Sequence, residues 1–186
     1  IPDEILNKPG RLTNEEFAIM KSHSAVGSQM LSELPFYRDE PIVKLAYSIA
    51  RWHHERWDGR GYPDGLAGDD IPIAAQAVSL ADVYDALTAE RVYKKAFSHD
   101  TAIEMISKGE CGQFNPLLLT CMNNCAEEMR LVKEGNGTNI RGEDEIKEFA
   151  HELLKNDAMY SSDRLLHLLE YEKMKNRFFE GITGGY

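Results

Sequence analysis

With 186 residues, 42% of them hydrophobic, the chain is long enough to bury one core of good size. A formal net charge of −10 argues against nucleic-acid polymers and membrane surfaces as partners, because basic stripes supply the affinity for both. No run approaches the roughly 20 apolar residues that cross a bilayer, so no membrane contact is expected of this segment.

The chain opens on Ile1-Pro2-Asp3 without an initiator Met and closes on Gly184-Gly185-Tyr186, so it is expected to be a segment of a longer protein. Three cysteines, Cys111, Cys121 and Cys125, form no disulfide framework and fit a reducing compartment, which points to the cytoplasm. Cys121 and Cys125 stand four apart on an expected helix and could share a metal. With no further soft ligand nearby, buried reduced thiols are the simpler reading.

In chain order, the patterns predict helices almost throughout. Thr13 and Glu16 form a capping box for a helix to about Leu34, with Phe17, Met20, His23, Gly27, Met30 or Leu31, and Leu34 facing inward. Pro41 suits the first turn of a second helix with Ile42, Leu45, Ile49 and Trp52 or His53 on its face, ending near Trp57. A loop rich in Gly and Pro follows, from Asp58 to Asp70. Pro72 opens a third helix whose stripe reads Ala74, Val78, Asp82 and Asp85. Ser98 can cap a fourth helix and Asn115-Pro116 can start a fifth. No strand-like alternation of useful length occurs, so the fold class is all-α. Residues 133–145, with three glycines and several charges, read as a linker or exposed loop. Residues 146–186 read as a helical extension, where Leu165, Leu168, Tyr171, Met174 and Phe178 make a narrow apolar stripe suited to docking or to a further domain.

The chemistry lies in polar residues on apolar stripes. His23 sits on the inward side of its helix, His53 ends the stripe of the next with His54 beside it, and Asp82 interrupts the third. A buried carboxylate without a partner costs several kcal/mol, so Asp82 calls for a cation or hydrogen bonds. Three imidazoles and a carboxylate from three helices could hold a metal, and this N/O set suits Fe, Mn, Ni, Co or Zn more than Ca. Taken singly, an inward His is more often a satisfied core residue, an adjacent His pair a solvated turn, and a buried Asp a cap or ion-pair partner.

The run His53-His54-Glu55-Arg56-Trp57-Asp58-Gly59-Arg60-Gly61-Tyr62-Pro63-Asp64-Gly65-Leu66 resembles the signature of the HD-GYP family, with Gly61-Tyr62-Pro63 as the name-giving triplet. Ile71-Pro72, Ala81-Asp82-Val83-Tyr84-Asp85-Ala86-Leu87-Thr88 and Arg91-Val92-Tyr93-Lys94-Lys95-Ala96 match as well. So do Ile1-Pro2-Asp3-Glu4-Ile5-Leu6-Asn7-Lys8-Pro9-Gly10 and Lys21-Ser22-His23 upstream. The resemblance covers about residues 1 to 125, and residues 1–132 are taken as the domain. It implies a helical HD-domain-like bundle with additional C-terminal helices.

It also implies hydrolysis of cyclic di-GMP, or of a related cyclic dinucleotide such as cyclic GMP-AMP, at a site of two or three divalent metals, often iron or manganese. On that pattern His23, His53, His54 and Asp82 match metal ligands. Asp85, Arg91 and Lys94 match substrate contacts, and Tyr62 and Pro63 shape the lip of the site. Read on their own, Arg91 and Lys94 fit an exposed basic turn equally well. The family's His-Asp pair and following Lys precede the Ile-Pro-Asp stretch at which this chain begins. The bridging Asp and general-acid Lys are therefore expected outside it, leaving one metal or none for these residues by themselves. Dimerisation is one way such a segment could cover its exposed core. The rival reading is a nucleotide-binding or signalling module that does not cut its ligand.

Overall fold

The structure is a computed structural model and describes residues 1–34, 40–90 and 95–135. The regular elements there are the helices α1 (Asp3–Leu6), α2 (Asn14–Ser32), α3 (Pro41–Trp52), α4 (Ile73–Thr88), α5 (His99–Ser107), α6 (Pro116–Asn124) and α7 (Ala126–Lys133), with one 3-10 turn at Gly68–Asp70. No strand occurs among the described residues. None of the helices there is long and apolar enough to cross a membrane. Arg91, Lys94 and the expected extension over 146–186 lie outside the described residues. Of the expected linker, only the end of α7 at Lys133 and the residues that cap it are described.

Helix starts follow local chemistry. Thr13 Oγ1 accepts the Glu16 amide and Glu16 returns a bond to the Thr13 amide, so both halves of the capping box form at α2. Ser98 caps α5 by accepting from the Thr101 amide, and the Asn115 side chain caps α6 by accepting from the Leu117 amide. Pro41 stands in the first turn of α3, where its missing N–H costs nothing.

The buried apolar cluster is built by α4, α5 and α6 with Phe114 from the segment between the last two: Ile73, Leu80, Tyr84, Leu87, Ala102, Ile106, Phe114, Leu118 and Met122. The face of α4 turned to that cluster is not the stripe expected from sequence. Ala74 and Val78 are only half-buried and Asp82 and Asp85 are exposed, so burial imposes no demand for a partner on Asp82. The apolar residues at 73, 80, 84 and 87 out-compete that stripe because they bury more area against α5 and α6.

Helix α2 packs along α3, and here too the seam differs from expectation. Its buried residues are Ser24 and Ser28, while Phe17 and Met30 remain 47% and 67% exposed. Both serines donate to carbonyls of their own helix, Lys21 and Ala25 respectively, so they can be buried without an unmet donor. A Cβ at Gly27 would sit 3.8 Å from that of Ala50, in ordinary contact, so small residues set the close approach of the two helices. That approach holds the site, because α2 carries His23 and α3 ends at the histidine pair.

Candidate metal centre

Helix α3 stops at Trp52, five residues before the expected end, and His53 is its C-cap. The cause is local. Nδ1 of His53 lies 2.8 Å from the Ile49 carbonyl and 3.1 Å from that of Ala50, so the ring donates to carbonyls at the helix end. The pair His53-His54 thus sits on a turn with both rings aimed at α2. His23 is fixed in the same way, its Nδ1 donating to the Met20 carbonyl at 2.7 Å.

These bonds determine the tautomers. A carbonyl can only accept, so Nδ1 carries the proton in both His23 and His53, and each neutral ring presents a bare Nε2. The two Nε2 atoms face each other at 3.3 Å, and Nε2 of His54 lies 3.1 Å from that of His23. Even with His54 donating to His23, the His23–His53 pair brings two lone pairs together. Burial, and then the neighbouring His53, His23 and Arg56, push the His54 imidazolium down to about 3, so that ring also stays in the ligating form. The ligand atoms of the three residues all fall within 4.8 Å of one another. Nitrogen ligands about 2.1 Å from a common cation stand roughly 3.0–3.4 Å apart at octahedral or tetrahedral angles, which matches the two measured separations. The donor set therefore fits a divalent transition metal, with the Met20 and Ile49 carbonyls already orienting two of the rings.

Of the other expected ligands, Asp82 does not join this group; it is exposed on α4. It does act on Tyr62. Burial first, and the Asp82 charge after it, raise the Tyr62 phenol to about 12 despite the opposing charge of Arg56. Tyr62 stacks on His54 with ring centroids 4.7 Å apart and planes at 29°. The neighbouring Pro63 is exposed and follows a cis peptide bond. Asp85 is exposed and pairs with Lys133 of α7 at 3.2 Å. The three cysteines form no disulfide with one another; Cys125 is exposed and Cys111 and Cys121 are half-buried rather than buried, and none joins the histidine group.

The loop bearing Tyr62 is anchored by residues that the sequence patterns did not single out. Glu55 is 2% exposed, and its Oε1 accepts the amides of Asp64 at 2.7 Å and Gly65 at 3.0 Å. Asp64 takes a bidentate pair from Arg51, both bonds 2.7 Å, and a third from Trp52 Nε1 at 2.8 Å. Position alone was the available hint: an acid between a His pair and a glycine-rich loop. The Arg51 hydrogen bonds hold the Asp64 carboxyl below its usual range. A depressed native value stabilises the fold above the unfolded value of about 3.9, and the gain is lost as pH falls through the native one. Arg51→Gln is therefore expected to lower the melting temperature by a few degrees at neutral pH and to converge on wild type as the pH falls below about 4, read by thermal melts across pH.

Imidazoles converging on a helical scaffold fit a metal centre of the HD type. The model of the HD domain matches residues 1–116, and the chain belongs to that family, with the His53-His54-Glu55 run and the Gly61-Tyr62-Pro63 triplet of the HD-GYP type. A cyclic di-GMP phosphodiesterase of Vibrio cholerae is 47% identical over 120 residues, which are 64% of this chain and 24% of that protein. One from Thermotoga maritima is 51% identical over 94 residues, 50% of this chain and 24% of that protein. A 3'3'-cGAMP-specific phosphodiesterase 2 of Vibrio cholerae is 41% identical over 119 residues, 64% of this chain and 22% of that protein. The chain thus spans about a quarter of the length of these relatives.

Proposed function

We propose that the protein containing this chain is a cytoplasmic, metal-dependent phosphodiesterase acting on cyclic di-GMP or a related cyclic dinucleotide in second-messenger signalling. The observation that carries this reading is the convergence of Nε2 of His23, His53 and His54 with separations of 3.1 and 3.3 Å. The names of the similar proteins supply the substrate class. A bound divalent metal, iron or manganese by the family resemblance, would supply Lewis acidity toward a phosphate oxygen and lower the pKa of water.

The residues of this chain have their own tasks in that reading. His23 and His53 are oriented by Nδ1 hydrogen bonds to backbone carbonyls, which leave Nε2 of each ring turned toward the site. Tyr62 covers the His54 ring and keeps water off that side of the cluster, with Pro63 beside it. Asp82, one helix away and acting on Tyr62, is assigned as a further ligand or water-orienting carboxylate. Asp85, Arg91 and Lys94 are assigned to substrate, the two cations to phosphate. Residues 1–132 form the domain, 133–145 a linker and 146–186 a helical extension. A homodimer would cover the outer face of α2, where Ile19, Val26 and Met30 are 43%, 51% and 67% exposed.

The test is hydrolysis of cyclic di-GMP by the intact protein with manganese or ferrous iron. Turnover that disappears with chelator and returns with metal is expected. Binding of the nucleotide without any turnover in the metal-loaded protein would favour the signalling-module reading.

A further inference from the structure

The mouth of the histidine cluster carries a feature that the assigned ligands and substrate contacts leave unused. Phe17 and Lys21 stand four apart on α2, six and two residues before His23, and both reach the Tyr62 ring. Phe17 meets Tyr62 edge to face, with centroids 6.5 Å apart and planes at 81°. Nζ of Lys21 lies 5.3 Å from the Phe17 centroid and 5.8 Å from the Tyr62 centroid. Tyr62 in turn stacks on His54, so the ammonium is two ring contacts from the cluster.

Two facts make this more than a packing detail. Among the described residues no carboxylate pairs with Lys21, although Asp and Glu outnumber Lys and Arg by 31 to 21 in the chain. The side chain is also half-buried between rings instead of extended into water. Two aromatic quadrupoles hold the cation in place without neutralising it, leaving its N–H donors for an incoming anion. Phe17 is 47% exposed at the same lip, a flat apolar surface to which a purine can stack.

We propose that Phe17 and Lys21 form a second nucleotide subsite, in which Phe17 takes a base and Lys21 takes a phosphate. The inference rests on the cyclic-dinucleotide reading above and extends it. A cyclic dinucleotide has two phosphates. With the Arg91 and Lys94 cations assigned to one phosphate, Lys21 offers a further cation to the other in a molecule of net charge −10.

Cyclic di-GMP is titrated against the full protein with metal removed by chelator, so that binding is read without turnover. Lys21→Gln and Lys21→Met, the latter keeping the aliphatic stem, should each weaken binding roughly tenfold and reduce its sensitivity to salt. Lys21→Arg should retain most of it. Phe17→Ala should weaken binding roughly tenfold, and Phe17→Tyr much less. Lys108→Gln, an equal loss of charge at the C-cap of α5 and at a residue paired with Glu104, should change nothing. In the metal-loaded protein, Lys21→Gln should raise KM about tenfold with kcat within about twofold, the signature of uniform binding. Affinity unchanged in Lys21→Gln, Lys21→Met and Phe17→Ala overturns the subsite, and so does a wild-type protein that binds no cyclic dinucleotide. The two readings fail separately. Hydrolysis indifferent to Lys21 removes the subsite alone, and Lys21-dependent binding without hydrolysis removes the phosphodiesterase alone.

Discussion

His53→Ala is expected to abolish metal retention and to reduce hydrolysis by more than the roughly 10–100-fold that follows loss of an outer-shell partner. The argument rests on the inter-imidazole distances. Nε2 of His53 is one of three nitrogen lone pairs converging within 4.8 Å, and an alanine leaves two. The fold should survive. His53 is only half-buried, and its ring contributes a C-cap hydrogen bond to the Ile49 carbonyl whose loss costs about 1 kcal/mol. The metal-free variant should therefore melt within a few degrees of metal-free wild type. Added manganese should raise the melting temperature of wild type, because a ligand that binds only the native state stabilises it, and should leave the variant unchanged. Metal analysis of the purified proteins and melts with and without metal check this. A His53→Ala protein that keeps wild-type metal content would show that the imidazoles do not form the centre.

The second large effect is expected at Gly61. A Cβ added there would lie 2.3 Å from Glu55 Cα and 2.4 Å from Arg56 N, distances that no rotamer change can relieve because both neighbours are backbone. Gly61→Ala must push the loop away from the turn after the histidine pair. The displaced residue next in line is Tyr62, which is stacked on His54 and whose amide donates to the His54 carbonyl at 3.2 Å. Misplacement by about 1 Å near a reacting centre can cost on the order of 100-fold, and a loss of that size in kcat/KM is expected with metal content kept. Retained metal with lost activity distinguishes this variant from His53→Ala. Full activity in Gly61→Ala would mean that the loop does not shape the site. The anchors argue against easy relaxation. Glu55 holds the Asp64 and Gly65 amides, and Arg51 and Trp52 hold the Asp64 carboxylate, so the loop is tied down just beyond Tyr62.

The features legible from residue order are those whose energetics close within a few residues. Thr13 with Glu16, Ser98, and Asn115 before Pro116 mark helix starts because a cap needs only a side-chain oxygen and an amide two or three positions on. The His53-His54 pair with the Gly61-Tyr62-Pro63 triplet was legible for the same reason, as a fixed order of residue types over a short span. His23 was found through its spacing on α2, thirty residues from its partner. The structure added what spacing could not show, a ring locked by the Met20 carbonyl with Nε2 turned to the pair.

Which faces are buried depends on contacts between elements distant in the chain. Asp82 belongs to a regular stripe on α4, yet a stripe is buried only if a neighbour covers it, and α5 and α6 cover the other side. Ser24 and Ser28 look polar and exposed in the sequence and are buried because α2 and α3 approach closely. Glu55 looks like a solvated acid and is almost wholly enclosed because two amides nine and ten residues away fold back onto it. Long-range packing selects among faces and partners that local propensity leaves equivalent, and the free energy that selects them is area removed from water and polar groups satisfied across the fold.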